Sequence, residues 1–137
     1  MRTDPLNPDP QLRQALDQAG TGFLTAFFEI ETQRHPDNLD ALAELGQLYT
    51  RLGRWENGLG VDRRLVRLVP HNPTVHYNLA CSLALLGRRD DALDALERSV
   101  ELGYDDFEFL LGDPDLASLR DEVRFRGLVR LLQVDPS

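Results

Sequence analysis

The sequence predicts an all-α protein, a short right-handed α-solenoid of antiparallel helix pairs, and three observations predict it. Sliding the chain along itself by about 34 residues lays like on like. Pro36 falls on Pro70, Asn38 on Asn72, Leu45 on Leu79, and Leu52-Gly53-Arg54 on Leu86-Gly87-Arg88. Leu59 then meets Leu93, Arg64 meets Arg98, Val66 meets Val100 and Leu68 meets Leu102, while the small Gly46 and Gly58 meet Ala80 and Ala92. Apolar residues also recur at steps of three and four, which places them on one face of a helix. Finally, no stretch of strand length alternates with period two between hairpin turn signals. One helical hairpin is used twice.

Each element follows in order. Residues 1–9 form a tail without an apolar run, so no signal peptide or membrane anchor is expected, and a cytoplasmic location follows. Residues 10–36 make a degenerate helical unit. Asp9-Pro10 starts a short helix bearing Leu12, Ala15 and Leu16 that closes near Gly20, and Thr21 opens a second with Phe23, Leu24, Phe27, Phe28 and Ile30. Residues 37–70 hold the first full repeat. Asn38 is the N-cap of a helix with Leu42, Leu45, Tyr49 and Leu52 on one face, stopped by Gly53. The returning helix starts at Trp55, carries Leu59, Leu65, Val66 and Leu68, and ends before Pro70. Residues 71–104 repeat the plan: Asn72 caps, Pro73 sits in the first turn where its missing N–H costs nothing, and Val75, Leu79, Leu83 and Leu86 make the stripe. Ala92, Leu93, Ala95, Leu96 and Val100 mark the return helix, which Gly103 stops. Residues 105–137 close the stack, with helices over 116–119 and 122–133 capped by Asp113 and Asp121. The whole chain, 1–137, reads as one domain.

These residues carry a family resemblance. The stretch from Leu42 to Pro73 resembles a tetratricopeptide repeat in Leu45-Gly46, Tyr49, Leu52-Gly53, Trp55, the small Gly58 and the closing Pro70. The next stretch is similar through Leu79-Ala80, Leu83, Leu86-Gly87, Ala92 and Val100, departing where Arg89 replaces an aromatic and Tyr104 a proline. In the first unit Gly58 replaces the usual alanine, and Asp62 stands where a large apolar residue is usual. Gly103, Asp113-Pro114-Asp115-Leu116, Leu119-Arg120, Arg124-Phe125 and Leu128 resemble the segment that closes bacterial tetratricopeptide pairs. The resemblance implies scaffolding or adaptor work. Physically, each end of a stack leaves an apolar face that a terminal unit must cover.

Composition narrows the function. Fifteen basic against 23 acidic residues give a net charge of −8, which repels phosphate backbones and anionic headgroups and makes nucleic acid and membranes poor partners. Every basic residue is arginine and Ile30 is the single isoleucine, a joint depletion that matches GC-rich coding. Without lysine, a Schiff base or lysine general base is impossible. Cys81 is the single cysteine, which excludes an intrachain disulfide and a CxxC zinc site. His35, His71 and His76 lack the i, i+4 spacing of a helical metal pair. The acidic run from Glu101 to Asp115 lacks the twelve-residue calcium loop, and Asp113 before Pro114 reads as a helix cap. No nucleophile elbow or phosphate-cradling loop occurs. The expectation is a protein without catalytic residues, cofactor or metal.

A surface remains. The first helix of each pair lines the concave side of a stack, and the stripe opposite the core positions is Asp40, Ala43, Gln47, Thr50 and Arg51 in one repeat. Its counterpart is Thr74, Tyr77, Asn78, Cys81 and Leu85, where Tyr77 and Leu85 are apolar without an evident core duty. Two explanations stand: a partner-binding groove, or cover by the chain's own Leu12–Leu16 helix or C-terminal segment. The family's carboxylate clamp fits poorly, because Ala43 stands where it needs a lysine and Asn78 alone matches, although Arg51 with Asn78 could hold one carboxylate. A helix of about fourteen residues is roughly 21 Å long, which suits about six extended residues at roughly 3.3 Å each. A short peptide or single helix of another protein, bound at micromolar strength, is the expected ligand. Self-association through the Phe23, Phe27, Phe28 end and an enzyme of unrecognised class are the alternatives.

Overall fold

The computed structural model describes residues 10–133, apart from the side chains of residues 12, 13 and 16, and every regular element in that span is helical. Helices run over Pro10–Arg34 (α1), Leu39–Arg51 (α2), Trp55–Leu68 (α3), Pro73–Leu85 (α4), Arg89–Glu101 (α5), Phe107–Gly112 (α6) and Val123–Gln133 (α7), with a 3-10 helix over Pro114–Leu119 between the last two. Each helix packs on the one before it from α1 to α5, which is the arrangement of a helical-repeat solenoid.

The punctuation expected of the two full repeats is present. Asn38 Oδ1 accepts from the Ala41 amide at 3.1 Å, and Asn72 Oδ1 from the Thr74 amide at 2.8 Å, so both first helices start on a side-chain cap. Gly53, Gly87 and Gly103 have φ of 71°, 77° and 113°. At each, the glycine amide bonds back to one carbonyl and the next residue's amide to the preceding one, as in Gly53 to Thr50 and Arg54 to Tyr49. This is the two-bond helix ending that needs a left-handed residue. The chain therefore reverses in the same way after α2, α4 and α5.

Packing forms two clusters. Leu42, Leu45 and Tyr49 of α2 meet Val61 and Leu65 of α3 and Val75 of α4, with Phe28 of α1 against them. The larger cluster joins Leu59, Ala80, Leu83, Leu93 and Leu96 to Leu110, Leu116, Leu119, Phe125 and Leu128 of the closing segment. Arg124 fastens α7 to α5 through Asp94 at 2.6 Å and Glu97 at 3.1 Å.

Three expectations need correction. The two short helices foreseen in the first unit are one continuous α1. Gly20 lowers helix propensity without ending a helix, and Thr21 Oγ1 donates to the Asp17 carbonyl at 2.8 Å, bonding back into the helix instead of capping a new one. Residues 107–112, not foreseen as helical, form α6 because Asp106 accepts from the Phe109 amide. Asp121 faces Arg126 at 3.6 Å and forms no cap bond with α7. The tail 1–9, and the packing foreseen for Leu12 and Leu16, lie outside the described residues.

Two substitutions test the hairpin geometry in opposite directions. A Cβ at Gly58 would meet ordinary neighbours, the closest being Tyr49 Cβ at 3.8 Å, so Gly58→Ala should raise stability by about 0.5–1 kcal/mol. Gly87→Ala places a side chain at positive φ and should lower it by about 1–2 kcal/mol; urea denaturation reads both. Leu45 is 3% exposed and Leu79 only half-buried, so Leu45→Ala should cost about 2–5 kcal/mol and Leu79→Ala less.

Candidate functional site

Because Leu42, Leu45 and Tyr49 turn α2 toward α3, its opposite stripe faces a depression that α4 borders. The cavity there is about 330 Å³, at the lower end of the usual range for ligand sites. Ala43, Gly46, Gln47, Thr50 and Arg51 of α2 form one side, and Asn78, Cys81, Ser82 and Leu85 of α4 the other. Asp62 and Leu65 of α3 lie between them, and Phe109, Asp113 and Asp115 of the closing segment complete the wall.

Of the residues singled out in the sequence, Gln47, Arg51, Asn78, Cys81 and Leu85 come together around this cavity. Asp40 and Thr74, at the starts of their helices, are exposed and outside its lining. Tyr77 is not available to a ligand. It is 4% exposed, its ring stacks on Tyr104 with centroids 4.4 Å apart, and its hydroxyl donates to Asp113 Oδ2 at 2.7 Å. The cover weighed above for Tyr77 is thus supplied by the C-terminal segment, while Leu85 remains half-buried at the cavity.

Asp113 organises that corner. Its Oδ1 accepts from the Asp115 amide at 3.0 Å, the helix-cap role foreseen. Its Oδ2 takes the Tyr77 hydroxyl and also the Cys81 thiol at 3.7 Å. Burial raises the pKa of both Tyr77 and Cys81, and the neighbouring Asp113 carboxylate adds to it. Cys81 is therefore held as a thiol, the opposite of the depressed pKa that makes a reactive thiolate. Cys81, Asp113 and Asp115 bring one ligand atom each within 4.8 Å of one another. The chemistry suits a metal poorly: the thiol resists deprotonation and Asp113 is already committed to three donors.

Asp62 is the buried titratable group of the cavity lining that the sequence reading passed over, noted only as a departure from the repeat pattern. It is 6% exposed, and its Oδ2 accepts a hydrogen bond from Ser82 of the next repeat. Burial pushes its carboxyl from 3.8 up to about 6, against the opposing help of Ser82. His76, also buried, pairs its Nε2 with the Pro70 carbonyl at 2.8 Å and so ties α4 to the turn that precedes it.

Fold and groove together define a class, the helical-repeat domain with a concave, mixed polar and apolar cavity. Residues 11–124 match the sequence profile of the bacterial transcriptional activator domain, and the chain belongs to that family. It is similar to a chloroplastic protein of Arabidopsis thaliana, with 32% identity over 105 residues that cover 74% of this chain and 30% of that protein. The chain thus spans less than a third of that relative's length. No helix among the described residues is long and apolar enough to cross a membrane.

The pKa of Asp62 makes a signed prediction. The folded state holds this proton more tightly than the unfolded one, so the charged form opposes folding. Asp62's contribution is most favourable below about pH 4 and is lost as pH rises through about 6. A rise from 3.8 to about 6 corresponds to about 3 kcal/mol. Asp62→Asn should therefore be more stable than wild type at pH 7 and close to it at pH 4, by paired urea denaturation. A constant difference across that range would remove the assignment.

Proposed function

We propose that this chain is a helical-repeat module of tetratricopeptide type that does no chemistry and holds a short extended segment of a partner protein in the concave groove. The observation behind this is the cavity shared by α2, α4 and the closing segment, with Gln47, Arg51, Asn78 and Leu85 at its edge. The family description, transcriptional activator domain, suits a regulatory protein. The net charge of −8 favours contact with protein over contact with DNA or anionic membrane. The thiol kept protonated at Cys81 and the absence of lysine argue against nucleophilic catalysis, and a cytoplasmic site of action fits this reading.

A second reading has its own observation. Phe23 is 74% exposed and Phe27 55%, with Leu24 and Ile30 also exposed on α1. Phe28, grouped with them from the sequence, instead packs half-buried on the first core cluster. In this reading α1 pairs with its copy in a second chain.

Capture of partners from native extract should yield a protein that Ala43→Trp, which fills the groove from an exposed position, no longer retains. Equal retention would move the site elsewhere. Light scattering across concentrations should give a constant mass near 15.5 kDa for the adaptor. A rise toward twice that value, abolished by Phe23→Ser with Phe27→Ser, would favour self-association.

A further inference from the structure

We propose that the groove receives an arginine or lysine side chain from the partner segment, its cation paired with the Asp62 carboxylate and drawn by the negative charge of Asp113 and Asp115 in the same lining. This rests on the groove being the partner site and names the chemistry of what enters it.

The charge balance of the lining points one way. Three carboxylates meet a single cation, Arg51, which is exposed in the last turn of α2. Among the described residues, none of the three carboxylates has an ion-pair partner. An acidic ligand would be repelled; a basic one meets the missing countercharge.

Asp62 supplies an independent observation. The residue is more than nine-tenths buried, yet only Oδ2 receives a hydrogen bond, from Ser82, and Oδ1 accepts from no group among the described residues. No described side-chain oxygen is both sealed off and unpaired, so Oδ1 is not fully sealed, and Asp62 lines the groove. A carboxylate oxygen so confined, without a protein donor, is costly. Gly46 stands beside it, where an added Cβ would lie 3.6 Å from Oδ1. The missing side chain leaves the approach to that oxygen open. A guanidinium or ammonium reaching it would make a charge-assisted hydrogen bond.

The walls suit the rest of such a side chain. Leu65, Leu85 and Phe109 offer apolar surface to the methylene stem, and the exposed Phe109 ring can face the cation. A metal ion competes less well, because Asp113 already accepts from Tyr77, Cys81 and the Asp115 amide.

The test screens the full chain against an immobilised hexapeptide library, then measures one selected peptide by fluorescence anisotropy. Selected peptides should be enriched in arginine or lysine. Replacing that residue by citrulline, neutral and of the same shape as arginine, should weaken binding at least tenfold, and Asp62→Asn should do the same. Because Asp62→Asn is expected to be the more stable protein at pH 7, its loss of binding cannot be put down to unfolding, and circular dichroism checks this. Peptides that Ala43→Trp excludes, but that show no basic preference or bind Asp62→Asn and citrulline forms unchanged, would overturn this inference and leave the groove reading intact. Selection of no peptide, or binding indifferent to Ala43→Trp, would overturn both.

Discussion

Helices α3 and α4 each bury apolar side chains that their own hairpin partner alone does not cover, and that constraint shapes the rest of the molecule. Leu59 of α3 is buried in the cluster that belongs mainly to α4 and α5, and Val75 of α4 in the cluster of α2 and α3. The hairpins are therefore not independent units; each completes its neighbour's core. A stack built in this way has two ends, and the chain treats them differently. At one end Leu110, Leu116 and Leu119 are fully buried over α4 and α5. At the other, α1 packs one face on α2 and leaves Phe23 and Phe27 in solvent.

The closing segment does a second job. By folding back it buries Tyr77 and brings Phe109, Asp113 and Asp115 to the groove wall. Asp113 joins both roles, since the carboxylate that caps the 3-10 helix also accepts from Tyr77 and Cys81 of α4. The end cap and the groove are thus one structure, and loss of the cap would open the groove as well as expose the core. Asp62 and Ser82 make a comparable link between consecutive repeats, polar where the pattern is usually apolar. A buried polar pair of this kind costs stability, which is a reason to look for its use in the groove.

Much of this was legible in the residues. Periodic leucines, two asparagine caps and the glycines after α2, α4 and α5 are local signals, each acting within a few positions, and the helices formed where they indicate. Gln47, Arg51, Asn78 and Leu85 were placed by helical phase alone. Gly20 misled because a glycine inside a helix and one that ends it look alike until backbone hydrogen bonding decides between them. Tyr77 looked surplus to its own hairpin because its cover comes from residues 27 to 36 positions further on.

Residue order was enough to settle the four helices of the two full repeats, their sequence along the chain, their turns and the stripe each one presents, since these depend on near neighbours and on a 3.6-residue period. What each stripe faces was settled only when the helices packed. The carboxyl pKa of Asp62 follows from burial between α2 and α4, and the burial of Tyr77 from a segment that folds over it. Desolvation and cover are properties of position in space, so no reading along the chain could assign them.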